Sequence, residues 1–453
     1  MGKHKIPENG IYDARTLGAG RMLLLGFQHM FAMFGATILV PILTGLDVSN
    51  TLLFAGLGTL LFHLITGGKV PAFLGSSFAF LGGYAAVAPM IDDTLPNTEL
   101  LPYACFGVAC AGLVYAVLAA LVRAFGAEKV MRFFPPIVTG PIIIAIGLNL
   151  SASAINNCSG SWWIAIAAIG IIVAANIWGR GMVKIIPILL GVVGSYLLAV
   201  IFDAGVRETL VKNVSEAALL ALPVKMDQTV FGLFARGNVD RDMLLTAVIT
   251  IVPLSLATMV EHIGDVSAIS STCGRNYIQD PGLHRTLLGD GLATTLAALF
   301  GAPANTTYGE NTGVLALSRI YDPRVIRIAA VLAMCFSFSP KFAAIISSMP
   351  GGTIGGVSLV LYGMISAVGV RNVVENQVDF TKSRNVLIAA LILVLSIGIS
   401  YSKAGALTFG SVSLSGLAVG SLVGIVLNAV MPGKDYVFGQ NPQGDESVNF
   451  IIQ

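Results

Sequence analysis

Pro71-Ala72-Phe73-Leu74-Gly75-Ser76-Ser77-Phe78 and, 232 residues further on, Pro303-Ala304-Asn305-Thr306-Thr307-Tyr308-Gly309-Glu310 decide how the rest of this chain is read. Each opens on Pro-Ala and carries an aromatic near its end. Each also lies in an apolar stretch, 71–90 and 303–319, that Gly, Ser, Thr, Asn and Pro make unfit for a continuous helix. The residues read as an extended stretch followed by a half-helix. Such backbone inside a bilayer survives only where it is buried in protein or lines a cavity. The half-helix N-termini would leave backbone N–H groups free for a ligand.

That the surroundings are lipid follows from composition. Of 453 residues, 55% are hydrophobic and 11% charged, against about 25% charged in soluble domains. A net charge of +2 gives no reason to expect nucleic acid as a partner. A spanning helix needs about 20 mostly apolar residues. Candidates fall at 21–44, 50–67, 71–90, 101–124, 134–154, 162–179, 183–203, 243–262, 286–301, 303–319, 324–346, 353–370, 384–401 and 406–430. The first run is too long for a signal-peptide core and is read as a retained span. With the N-terminus in the cytoplasm and alternating spans, 19 of the 26 basic residues face inward. The exceptions are Lys341, Lys403 and five residues in or at the edge of the long loop 204–242: Arg207, Lys212, Lys225, Arg236 and Arg241. The sorting predicts fourteen spans with both termini cytoplasmic.

The broken segments belong to a wider repeat. Gln28-His29 lies 233 residues before Glu261-His262, and Gly56-Leu57-Gly58 lies 233 before Gly289-Asp290-Gly291. A unit of seven spans is odd, so its second copy enters the membrane from the opposite side. Inverted repeats of this kind build secondary transporters, with the substrate site near the midplane where interrupted helices meet. The expected fold is an all-α integral membrane protein of two inverted seven-span repeats.

Acidic side chains within spans cost about 2.5–3.5 kcal/mol each on insertion scales and therefore face a cavity or a partner. Glu261, Asp265 and Glu310 stand out, with Glu261 and Asp265 on one helical face. Two carboxylates in one desolvated site cannot both carry charge cheaply, which is the chemistry a proton symporter needs. The alternative is a structural pairing with His29, His63 or His262. Asp290 is read as structural. Carboxylates as acceptors, backbone N–H as donors and the flat face of Phe78 suit a planar, neutral, lactam-like ligand such as uracil. They suit a simple anion poorly. The five cysteines (Cys105, Cys110, Cys158, Cys273, Cys335) have no metal-ligand spacing, and no nucleophile or phosphate-loop constellation points to an enzyme. No catalytic residue, metal or cofactor beyond the coupling proton is expected.

Four stretches carry a resemblance: 28–37 (Gln-His-Met-Phe-Ala-Met-Phe-Gly-Ala-Thr), 75–80 (Gly-Ser-Ser-Phe-Ala-Phe), Glu261-His262-Ile263-Gly264-Asp265, and 305–313 (Asn-Thr-Thr-Tyr-Gly-Glu-Asn-Thr-Gly). The chain resembles the nucleobase/ascorbate transporter family, in particular its bacterial uracil permeases, from about 20 to 430. The resemblance implies a multi-pass protein of the bacterial inner membrane, commonly a homodimer, taking up its base with protons by elevator-like movement. It implies short antiparallel strands in spans three and ten. It implies a core domain (21–132 and 243–347) and a gate domain (133–203 and 348–431). Outside these lie a cytoplasmic segment (1–20), an outer loop (204–242) and a cytoplasmic tail (432–453). Carried over by residue, Glu261 and Glu310 bind the base, and Phe78, Gly309 and Glu310 add backbone or ring contacts. Ala36, Tyr308 and Tyr362 line the pocket, with Ser77 beside Phe78, while Glu261, Asp265 and His29 serve proton coupling.

Two departures shape the alternatives. Uracil permeases often carry His where this chain has Asp265, and Asp there resembles purine-transporting relatives. Ser318-Arg319 replaces the usual Thr-Arg of the family signature. Against a purine, position 310 is Glu rather than the Gln common in xanthine transporters. A xanthine or broader permease is the first alternative, and an anion exchanger or channel of the same fold is the distant one.

Overall fold

Capping and helix-breaking residues set the boundaries along the chain. The computed structural model describes residues 10–91, 95–237, 239–409 and 412–434, so the expected terminal segments 1–20 and 432–453 are covered only from 10 and up to 434. Helix α1 (Ala19–Thr44) stops where Gly45 turns left-handed, and α2 (Val48–Ile65) starts on Asp47, whose carboxylate accepts the Asn50 N–H. The stretch led by Pro71 gives strand β1 (Leu74–Ser76), one 3-10 turn and the short α3 (Leu81–Val87). Next come α4 (Leu101–Phe125), α5 (Ala127–Met131), α6 (Pro136–Cys158), α7 (Trp162–Ile177), α8 (Met182–Ile185) and α9 (Pro187–Phe202). Proline occupies the first turn of α4, α6 and α9, where its missing N–H costs nothing. At Asp203 the chain bends by 107° into α10 (Ala204–Glu216). The long loop also holds α11 (Val230–Ala235).

The second half runs α12 (Arg241–Ile251), a 3-10 turn at Val252–Leu254, and α13 (Ser255–Cys273). It continues with α14 (Leu283–Leu299), strand β2 (Asn305–Thr307), α15 (Gly309–Ser318) and α16 (Pro323–Ser337). A bend of 87° leads into α17 (Pro340–Ser347), followed by α18 (Gly351–Glu375), α19 (Ser383–Ser400), strands β3 (Ala406–Phe409) and β4 (Val412–Ser415), and α20 (Gly416–Val430). Among the described residues, six helices (α1, α2, α4, α6, α18 and α19) are long and apolar enough to cross a bilayer, or eight if each bent pair counts as one. Three segments differ from expectation. The eleventh, read as one span over 324–346, breaks after Ser337 and bends by 87° into α17, which Pro340 opens. The eighth segment, read as ending at 262, continues to Cys273 because nothing breaks the helix before Gly274 turns left-handed. The last segment, read as helix from 406, begins instead as an antiparallel hairpin. Its residues Val412-Ser413-Leu414-Ser415 alternate apolar and polar at the period of a strand. The all-α expectation thus holds apart from two small sheets, of which only the first was foreseen.

Packing falls into matched sets. α4 lies on α14 as α16 lies on α2, and α12 on α4 as α16 on α1. Likewise α7 lies on α9 as α19 on α20, and α7 on α18 as α19 on α6, while α6 packs on α18. Two of these seams are close backbone contacts. A Cβ on Gly112 would stand 2.6 Å from the Gly291 carbonyl, and one on Gly291 the same distance from the Gly112 carbonyl. Gly140 and Gly369 do the same for α6 and α18, at 3.0 and 2.7 Å. Without a hydrophobic drive between helices in lipid, this close van der Waals packing is what holds them together.

Strands β1 and β2 pair antiparallel, Leu74 with Thr307, Gly75 with Thr306 and Ser76 with Asn305. Adding the repeat offset of 232 turns the Leu74–Thr307 pair into Thr306–Gly75, so the register maps onto itself. The two strands are related by a local two-fold axis.

Candidate functional site

The ladder runs past the strands at both ends. The Tyr308 N–H donates to the Phe73 carbonyl at 3.1 Å and the Ser77 N–H to the Ala304 carbonyl at 2.8 Å. Neighbouring helices take up outward-facing groups. Thr59 on α2 accepts the Leu74 N–H at 2.9 Å, and Thr294 on α14 donates to the Asn305 carbonyl at 2.8 Å. All six strand residues are buried, so these bonds are what permits extended chain at this depth.

Tyr308 is woven into this sheet. Its hydroxyl donates to the Ser76 carbonyl at 2.8 Å and accepts from Thr37 at 3.3 Å, while Ser76 donates to the Thr37 carbonyl at 3.1 Å. The ring lies on Gly75, where a Cβ would come within 2.5 Å of it. Phe78 meets Tyr362 of α18 edge-to-face at 6.0 Å. Ala36, Phe78, Tyr308 and Tyr362 share one buried apolar cluster. Ser77 is buried beside Phe78, with a hydroxyl that makes no hydrogen bond among the described residues.

Beyond the sheet stand the acids. Glu261 and Asp265 lie one turn apart on α13, and Glu310 lies in the first turn of α15, whose N-terminus no side chain caps. A carboxylate there is favoured by the partial positive charge of the helix end. Asp265 accepts from the Thr307 hydroxyl at 2.8 Å, tying α13 to β2. Glu261 and Asp265 each feel the negative charge of Asp290 and Glu310, and Asp265 that of Glu261 as well. Asp290 has its own partner, His262, at 3.2 Å with both side chains fully buried. Among the described residues, no ion pair of a Lys or Arg involves Glu261, Asp265 or Glu310. Gly264 on α13 and Gly313 on α15 stand open, because a methyl group on either would meet nothing within 4 Å. The site therefore offers hydrogen-bond acceptors that no Lys or Arg occupies among the described residues.

The other two candidate histidines, His29 and His63, have other partners. His29 receives Asn311 Nδ2 at 3.2 Å on Nδ1, and the same amide donates to the His29 carbonyl at 3.0 Å. His63 contacts the Ala72 carbonyl at 2.9 Å. Four residues at the site were not singled out from the sequence: Thr37, Ser76, Thr307 and Asn311. Two of them, Thr307 and Asn311, lie within the quoted 305–313 stretch, where a run of hydroxyls and amides in apolar sequence was the available signal.

Comparison with known proteins adds to this geometry. The model of the permease family matches residues 20–405. The uracil permease of Bacillus caldolyticus is 40% identical, over 94% of this chain and 95% of that protein. The uracil permease of Bacillus subtilis (strain 168) is 38% identical, over 89% and 91%. The putative pyrimidine permease RutG of Escherichia coli (strain K12) is 37% identical, over 91% and 89%. Among solved structures, the transmembrane domain of the cyanobacterial bicarbonate transporter BicA matches with a TM-score of 0.57 at 14% identity, covering 93% of this chain and 99% of that one. SLC26A9 matches with a TM-score of 0.62 at 14% identity, covering 95% and 70%. The solved structures show a shared, mostly helical fold, and the family and its relatives indicate a multi-pass membrane transporter rather than an enzyme. The chain belongs to the permease family.

Proposed function

With that membership as premise, we propose that the chain imports uracil together with protons across a bacterial inner membrane. The observation that carries this reading is the placement of Glu261 on α13 and Glu310 on α15, helices that pack together beside the β1–β2 sheet, with neither acid paired to a Lys or Arg among the described residues. The two carboxylates accept the ring N–H groups, the first turn of α15 at Gly309 and Glu310 serves a carbonyl, and Phe78 lies against the ring. One of the acids carries the coupled proton. The names of the relatives at 35–40% identity point to the same substrate.

The architecture we propose is fourteen spans in two inverted repeats, with both termini cytoplasmic. The self-mapping register of β1 and β2 and the matched helix packing support it. The core domain joins spans one to four with eight to eleven, the gate domain joins the rest, and the core moves as an elevator within a homodimer. The bond from Thr307 to Asp265 favours a positioning part for that acid, which leaves room for it to differ from the histidine common in uracil permeases. An anion exchanger or channel of the same fold conflicts with two carboxylates at the site, and at 14% identity the likeness to the bicarbonate transporter BicA speaks to fold alone.

Uptake of labelled uracil into proteoliposomes under an inward proton gradient, with excess unlabelled xanthine as competitor, tests the reading. Accumulation that collapses with a protonophore and ignores xanthine is the expected outcome. Competition by xanthine, which Asp265 would favour, replaces it with a purine or broadened permease.

A further inference from the structure

The stretch before α1 is built into the protein. Ile11 pairs in parallel with Ile320, its N–H donating to the Arg319 carbonyl and its carbonyl accepting the Tyr321 N–H, both at 2.8 Å. Gly10 has a φ of 76°, and a Cβ there would fall 2.3 Å from the Tyr321 ring. The Ala14 N–H donates to Asp322 at 2.7 Å, and Arg324 bridges Asp13 at 2.9 Å and Asp322 at 3.2 Å. Between these anchors, the Tyr12 hydroxyl donates to the Cys273 carbonyl at 2.7 Å, the Tyr12 ring packs against Tyr321 at 5.4 Å, and Arg275 lies over that ring at 4.1 Å.

Cys273 ends α13, the helix of Glu261 and Asp265, and residues 319–321 follow directly on α15, the helix of Glu310. We infer that residues 10–17 form a strap that fixes the far ends of these two helices against each other, with Tyr12 as a positioning residue for the carboxylate site. α15 is only 10 residues long, so a shift of its end is passed along a rigid helix to Glu310. Within the strap, hydrogen bonding from Arg15 holds the Asp13 carboxyl well below the usual carboxylate range.

The inference rests on the uracil reading only in its affinity arm. The full chain, with Cys110 and Cys335 replaced by alanine and nitroxide labels at Ser271 and Leu317, reports the distance between the ends of α13 and α15. Tyr12→Ala is expected to broaden that distance distribution, with Tyr12→Phe, which keeps the ring, broadening it less. Uracil Kd should rise about tenfold in Tyr12→Ala, equivalent to ~1.4 kcal/mol. An unchanged distance distribution in folded Tyr12→Ala overturns the strap. So does loss of folded protein in both variants, which makes the segment a folding element instead. Wild-type protein that binds no uracil sinks the substrate reading alone, because the distance arm needs no ligand.

Discussion

The two broken segments share a backbone and differ in chemistry. Around β1 the chain is Phe73-Leu74-Gly75-Ser76-Ser77-Phe78, and around β2 it is Asn305-Thr306-Thr307-Tyr308-Gly309-Glu310. One two-fold axis relates them, yet the first supplies surface and the second supplies polar contacts. Gly75 gives way to the ring of Tyr308, whereas Thr307, the residue 232 positions further on, reaches out to Asp265. The following helices diverge as well. α3 is seven residues with no acid in its first turn, and α15 is ten residues with Glu310 there. The two segments share a geometry that satisfies backbone in lipid, and they differ in the polar groups they present.

The comparison breaks first at its polar end. Glu310→Ala should weaken uracil binding by about 10- to 100-fold, since a stranded ligand N–H group costs about 1–3 kcal/mol. Near-normal affinity in a calorimeter would move the site elsewhere. Glu261→Gln should keep part of the binding and lose proton-driven accumulation; a variant that still concentrates uracil against its gradient would strip Glu261 of the coupling part. The glycines sharpen the contrast. Gly75→Ala places a methyl in the Tyr308 ring and should cost about 1–3 kcal/mol of stability through overpacking. Gly309→Ala meets only Asp265, at 4.0 Å, and should leave the melting temperature nearly unchanged. Equal losses in the two would mean that β1 and β2 are not asymmetric in packing. The smallest effect is expected for Asp265→Asn, which can still accept from Thr307. If Asp265 only positions β2, the pH profile of uptake stays as in wild type; a flattened profile assigns it the coupling proton.

Much of this was legible in the sequence. Pro71 and Pro303, with the polar residues after them, announced interrupted helices because few other arrangements tolerate such residues in lipid. The acids stood out because charge in an apolar run is costly. Tertiary partners were not legible. Nothing local told Asp265 to find Thr307, or told His262 to find Asp290 rather than Glu310. The hairpin before α20 was hidden because Ala406-Leu407-Thr408-Phe409 is apolar enough to pass for the start of a spanning helix. Tyr12 was hidden for the opposite reason, since it sits in a polar leader whose contacts all lie more than 250 residues away.

The pairing of β1 with β2 also has a consequence for synthesis. When Leu74–Ser76 leaves the ribosome, Asn305–Thr307 has yet to be made, and at about 5–20 residues per second the wait is on the order of ten to fifty seconds. For that interval the backbone groups of β1 have no strand to bond, in a setting where unbonded groups are costly. The nascent first repeat must therefore be sheltered, by the insertion machinery or by holding that segment out of the hydrocarbon. Translation past residue 307 is the earliest point at which the permease can close its own sheet.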